Sequence, residues 1–183
     1  YSTALSAKQL GVLKGMASAM TLSILTIMLS TYFDPFSNAL IGDIQGRFDV
    51  LGLSIILPTG FLLVSIGRLA KLRFFSPDDI DGSGLTRGSE NALVLQSLLQ
   101  NTLEQFVVAI IVYTAWCLVM PVSVLSAIPL CSVLFALGRT LFFKGYKNGA
   151  AARAFGFAVT FYPTLVLFVI FVIHTLWKIV SSN

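Results

Sequence analysis

Residues 89–120 run SENALVLQSLLQNTLEQFVVAIIVYTAWCLVM. The stretch is compatible with one unbroken helix as far as the turn at Met120-Pro121, and from Gln105 onward it carries no charge. A helix from Ser89 to Val119 would be about 45 Å long, well beyond a hydrocarbon core of about 30 Å, so one end has to protrude. That end holds Ser97, Gln100, Asn101, Glu104 and Gln105. Counting about 20 residues back from the turn leaves Glu104 about one turn inside the boundary. These residues therefore read as a transmembrane helix with a polar, partly immersed foot.

The flanking sequence extends this to an all-α, polytopic membrane helix bundle. Of 183 residues, 56% are hydrophobic and only 11% are charged, with a mean hydropathy of +0.88. A soluble domain carries about a quarter charged residues to wet its surface. Apolar runs near spanning length fall at Leu10–Tyr32, Val50–Ala70, Ala92–Met120, Val122–Phe143 and Ala154–Trp177. Five spans leave little chain for a soluble domain, so any chemistry sits at a membrane boundary or between helices. The third span looks the longest.

Five spans put the termini on opposite sides. Lys8, Lys14, Arg68, Lys71, Arg73, Arg87, Arg139, Lys144, Lys147 and Arg153 fall on one face, and only Arg47 and Lys178 on the other. The positive-inside rule then places the N-terminus in the cytoplasm and the C-terminus in the lumen or outside the cell. A net charge of +4 suits a cytoplasmic membrane surface and is far too dilute for nucleic acid. Cys117 and Cys131 lie inside apolar runs, which excludes a secreted disulfide framework and fits buried packing thiols. Tyr1 in place of an initiator Met points to a processed chain or a fragment.

Asn101 and Glu104, three apart, share a helix face, with Ser97 and Gln105 beside them. An acid at this depth is costly unless it faces a partner, and marks a candidate site by default. A structural ion pair between Glu104 and Arg139, at similar depth on the fourth span, accounts for it equally well. Arg139, Phe142 and Tyr146 form one stripe at helical steps, and Lys147-Asn148-Gly149 closes that helix. Arg68 and Arg153 belong to the same level. Arginine holds its charge when partly desolvated and offers a forked donor, so Arg139, Arg153, Tyr146 and Asn101 would suit a small anionic ligand.

Other motifs carry less. Asp79, Asp81, Gly82 and Glu90 fit a calcium-loop spacing, but Pro77 interrupts the preceding helix and Thr86 replaces the usual apolar residue, so no metal site is assigned. His174, beside Trp177 and Lys178, reads as an interfacial belt residue. Pro58 and Pro163 sit mid-span as candidate kinks. A single acid within the spans argues against a transporter.

The ordered set Gln100-Asn101-Thr102-Leu103-Glu104-Gln105, Gly138-Arg139, Gly145-Tyr146, Arg153 and Gly156-Phe157 resembles the MAPEG family, membrane proteins of eicosanoid and glutathione metabolism. The likeness runs from about Leu51 to Trp177. It implies a four-helix MAPEG domain at residues 49–183, preceded by an extra transmembrane helix and its connection at 1–48. It also implies a homotrimer in an endomembrane if the source is eukaryotic, with glutathione bound near the cytoplasmic face between subunits. Under the resemblance Arg153 and Tyr146 would be catalytic, stabilising the glutathione thiolate, while Asn101, Glu104, Arg139, Tyr146 and Arg68 would bind the tripeptide. The sequence departs from the family where an arginine is Ser97, a tyrosine is Gln105 and another tyrosine is Phe142. Two functions follow. One is a divergent, mattrin-like pseudoenzyme with weak or lost glutathione chemistry, acting through lipids or other membrane proteins. The alternative is a glutathione-dependent transferase or peroxidase acting on lipophilic electrophiles.

Overall fold

The computed structural model describes residues 5–35, 43–82, 84–85 and 87–182. Tyr1, and Ser83 and Thr86 of the calcium-like loop, lie outside the described residues. The described residues form five α-helices: α1 (Ala7–Phe33), α2 (Ile44–Phe75), α3 (Glu90–Val119), α4 (Ala127–Gly145) and α5 (Ala150–Ser181). All five are long and apolar enough to cross a membrane, α4 when counted with its flanking turns.

Local chemistry sets the helix starts. Ser6 and Gln9 close a capping box on α1, the Asp43 carboxylate accepts from the Gly46 N–H at the start of α2, and Ser89 accepts from the Ala92 N–H at the start of α3. Pro129 lies in the first turn of α4, where no backbone donor is needed. The chain reverses into α5 at Gly149, whose φ of +94° suits only glycine.

The structure differs from the apolar runs in two ways. The third span is not the longest, because α2 and α5 each have 32 residues against 30 for α3. Hydropathy trims the polar ends of a helix, but Asp43 starts α2 before Val50, and α5 starts at Ala150. The fourth span is not one helix: Val122–Val124 form a 3-10 turn after Pro121, and α4 begins only at Ala127. Helices α2 and α5 run on through Pro58 and Pro163.

The starts of α1, α3 and α5 and the ends of α2 and α4 gather at one end, called here the basic end. There Arg73 Nη2 donates to Gln96 Oε1 at 3.0 Å and Lys147 Nζ to Asn91 Oδ1 at 2.9 Å. At the opposite end Arg47 Nη1 donates to the carbonyls of Cys117 (2.6 Å) and Met120 (3.0 Å), supplying a donor to the donor-starved carbonyls at the C-terminus of α3. Ser126 also donates to Asp34 there, tying the end of α1 to the start of α4. The main core lies in this half, around Trp116, Tyr113, Leu125, Ile128, Phe135 and Leu167, with Cys117 and Cys131 buried as free thiols. Many large apolar side chains, such as Ile56, Leu63 and Ile111, stay exposed on the outer surface, as lipid contact requires.

Helices α4 and α5 approach most closely. A Cβ on Gly156 would sit 2.8 Å from the Leu141 carbonyl carbon, and one on Gly138 would sit 2.7 Å from the Thr160 nitrogen. Small residues of this kind let helix backbones meet in lipid, where dispersion and hydrogen bonds drive packing.

Candidate functional site

A cavity of about 710 Å³ opens at the basic end. Its floor is α5 and the end of α4, and its two walls are α3 and α1. Helix α3 presents Ser97, Gln100, Asn101 and Glu104, the middle two lying three and four residues from each of the outer two and so on one face. Phe142 and Tyr146 enter from the end of α4, and Arg153 and Phe157 from α5. The reversal at Gly149 matters here, because it returns the chain so that the Arg153 guanidinium lies over the Tyr146 ring, 4.6 Å from its centroid. Tyr146 meets Phe142 edge-on at 5.4 Å, and Arg139 in turn lies over the Phe142 ring, 4.6 Å from its centroid. Each cation–π contact is worth about 0.5–2 kcal/mol, so the ladder Arg139–Phe142–Tyr146–Arg153 holds its members in register.

Arg139 is fully buried behind the cavity rather than in its lining. Its Nη1 donates to Asn101 Oδ1 at 2.7 Å and its Nε to Thr160 Oγ1 at 3.1 Å, while Nη2 has no partner among the described residues. With Oδ1 committed to Arg139, Asn101 offers the cavity its Nδ2 donors. The ion pair expected between Glu104 and Arg139 does not form. Glu104 is exposed, and its carboxylate accepts from Gln100 Nε2 at 2.9 Å. Three residues after Asn101, it lines the same cavity from its exposed side.

The structure thus brings Asn101, Glu104, Tyr146 and Arg153 to one cavity and sets Arg139 beneath it. Arg68 stands elsewhere: its guanidinium lies 5.5 Å from the Phe143 ring, in a separate cavity of about 350 Å³ with Lys144 and Lys147. Of the three departures, Ser97 and Phe142 line the main cavity, whereas Gln105 is buried outside its lining. Sequence reasoning missed Thr160, whose signal is its place two turns after Arg153 on α5. It also missed Val12 and Met16, which form the α1 wall and carry no chemical signal.

The α2–α3 connection uses its acid internally. Asp79 accepts from the Ser89 N–H (2.6 Å) and from the Ser76 (2.7 Å) and Ser89 (2.8 Å) hydroxyls. These bonds, the Ser89 N–H foremost, with Arg73 adding its charge, hold the Asp79 carboxyl below the usual aspartate range.

The sequence profile of the MAPEG family matches residues 50–173, more than half of the chain. The chain belongs to the MAPEG family. No curated protein and no solved structure matches it. This MAPEG protein is an all-helical membrane protein, and the matched segment contains every cavity residue contributed by α3, α4 and α5. Helix α1 lies wholly before it.

Proposed function

We propose that this chain is a divergent MAPEG protein in which glutathione chemistry is weak or lost, and whose cavity takes the head of a lipid amphiphile, the protein acting through lipids or other membrane proteins. The observation that carries this is the cavity's charge. Glutathione has two carboxylates, yet Arg153 is the one guanidinium among the described residues of the lining: by the family resemblance Ser97 stands in place of an arginine and Phe142 of a tyrosine, and Arg139 is spent on Asn101 and Thr160. Each charge-assisted bond contributes about 1.5–3 kcal/mol, so losing one anchor removes much of a small ligand's affinity.

A lipid fits better. The rim supplies Arg153, the Asn101 amide, Gln100 and Glu104 for a polar head. One turn deeper on α3 and α5 a groove of about 310 Å³, apolar but for Thr164, begins at Val108 and Phe161 and reaches Phe171. Phe157 of the cavity stacks on Phe161 of the groove at 5.9 Å, so the two are consecutive along α5. Under the positive-inside rule the basic end faces the cytoplasm, and the family resemblance supports assembly as a homotrimer.

Arg153 over Tyr146 also supports the second function, a glutathione transferase or peroxidase with Arg153 stabilising the thiolate. Titrating detergent-purified protein with glutathione separates the two. A ligand at 100 times its Kd adds about 2.7 kcal/mol of stability. We expect no shift in melting temperature, and turnover of a chlorinated aromatic acceptor near background. A clear shift, with turnover that disappears in Arg153→Leu, would establish the enzyme instead.

A further inference from the structure

The MAPEG match begins within α2, so the match assigns no role to α1. Helix α1 is nevertheless built into the site. Its first half lies parallel to α5, and Gly11 and Gly15 seat it there. A Cβ on Gly11 would come within 3.0 Å of the Ala151 side chain, and one on Gly15 within 3.1 Å of the Phe155 nitrogen. The contact continues through the fully buried Ala19, packed with Ala158, Val159 and Leu134 of α5 and α4, and Ser23 one turn further is buried as well. Its far end is tied to the start of α4 by the Asp34–Ser126 bond, and its first turn is closed by its own Ser6–Gln9 capping box. The helix is a wall and not a loose flap.

This seating points Val12 and Met16 into the cavity opposite Ser97 and Asn101. Remove α1 and the cavity becomes an open step along α3 and α5. The same two residues also line an adjoining groove of about 520 Å³ on the other side, shared with Ala150 and flanked by Lys8 and Leu13. Val12 and Met16 therefore stand between the cavity, with its polar rim, and a mostly apolar groove along the first turns of α1.

We propose that α1 completes the ligand cavity within a single chain, and that Val12 and Met16 are specificity-determining residues that set the width available to the apolar part of the ligand. The nature of the ligand rests on the lipid reading above; the wall itself does not. Met16 has free rotation about its side chain and conforms to tails of different shape, while Val12 is stiff at its first torsion.

The experiment uses the full chain with Cys117→Ala and Cys131→Ala, carrying Ala154→Cys as a reporter, since Ala154 lies on the cavity floor beneath Gly15. Alkylation by N-ethylmaleimide is timed without ligand. We expect Met16→Ala and Val12→Ala to speed labelling several-fold, Met16→Trp to slow it, and Met28→Ala, exposed further along α1, to leave it unchanged. Labelling that ignores all of the Val12 and Met16 changes overturns the wall, whatever the ligand. In a second arm the fluorescent anionic fatty acid cis-parinarate is titrated into the same variants. Tighter or weaker binding that follows cavity width supports the specificity role, and binding unchanged by Met16→Trp overturns it. If labelling responds but parinarate binds no variant, the wall stands and the lipid reading above fails.

Discussion

Arg139 Nη1 donates to Asn101 Oδ1 at 2.7 Å, joining α4 to α3 beneath the cavity with no carboxylate between them. A buried guanidinium that loses this acceptor keeps its charge and gains a second unpaired donor. Asn101→Leu should therefore cost about 1.5–3 kcal/mol. The double change Asn101→Leu with Arg139→Leu should recover part of that loss, because the stranded charge goes too. Glu104→Ala, at an exposed position, should stay within about 0.5 kcal/mol of the parent. Thermal unfolding of the three variants in detergent checks the order, and Glu104→Ala proving the worst would refute it.

Gly156 is where α4 and α5 touch. A methyl group there would press on the Leu141 carbonyl carbon at 2.8 Å and the Gly138 oxygen at 2.9 Å, both backbone atoms that cannot step aside. Gly156→Ala should destabilise by about 1–3 kcal/mol, as overpacking does. Gly52→Ala, with open space around the added atom, should not destabilise in this way. The comparison is a pair of melting curves.

Arg47 closes the C-terminus of α3 by donating to two carbonyls, those of Cys117 and Met120. Arg47→Ala should cost about 1.5–3 kcal/mol, and hydrogen exchange should rise in the last turn of α3 before it rises elsewhere. Uniform loss of protection along α3 would contradict a local capping role.

Asp79 gives a pH dependence with a definite sign. Its carboxyl is held below the ordinary aspartate value, so its contribution is complete above about pH 4, the unfolded value, and fades as pH falls through the lower folded one. Proteolysis in the α2–α3 connection should increase over that acid range in the parent chain. Asp79→Asn should be cleaved at the faster rate already at neutral pH, with a flatter profile. An equally steep profile in Asp79→Asn would assign the effect to another group.

Ser97 lies on the cavity wall one turn before Asn101, on the same face. Ser97→Arg should add a second guanidinium and tighten glutathione binding by about 1.5–3 kcal/mol, roughly tenfold to a hundredfold. Because the gain is shared by ground and transition states, retention should improve before turnover does. Thermal shift at fixed glutathione measures it; no shift in Ser97→Arg would mean that the charge deficit is not what limits binding.

Much of this protein is local and therefore legible in its sequence. Apolar run length dictates the five helices, and the three- and four-residue spacing of Ser97, Asn101 and Glu104 puts them on one face whatever surrounds them. The order of Gly145-Tyr146, Gly149 and Arg153 likewise brings a guanidinium back over a tyrosine by chain reversal alone. What faces what across helices was decided only in three dimensions. Arg139 bonds Asn101 and Thr160 rather than Glu104: the close α4–α5 contact at Gly138 and Gly156 sets Arg139 against Thr160, and α3 turns Asn101 rather than Glu104 towards it. Arg68 likewise falls in a different cavity, beside Phe143, which its level in the membrane did not reveal. Helix α1 became a cavity wall because Gly11 and Gly15 fit against α5, a complementarity between two distant segments that no periodicity within either one expresses.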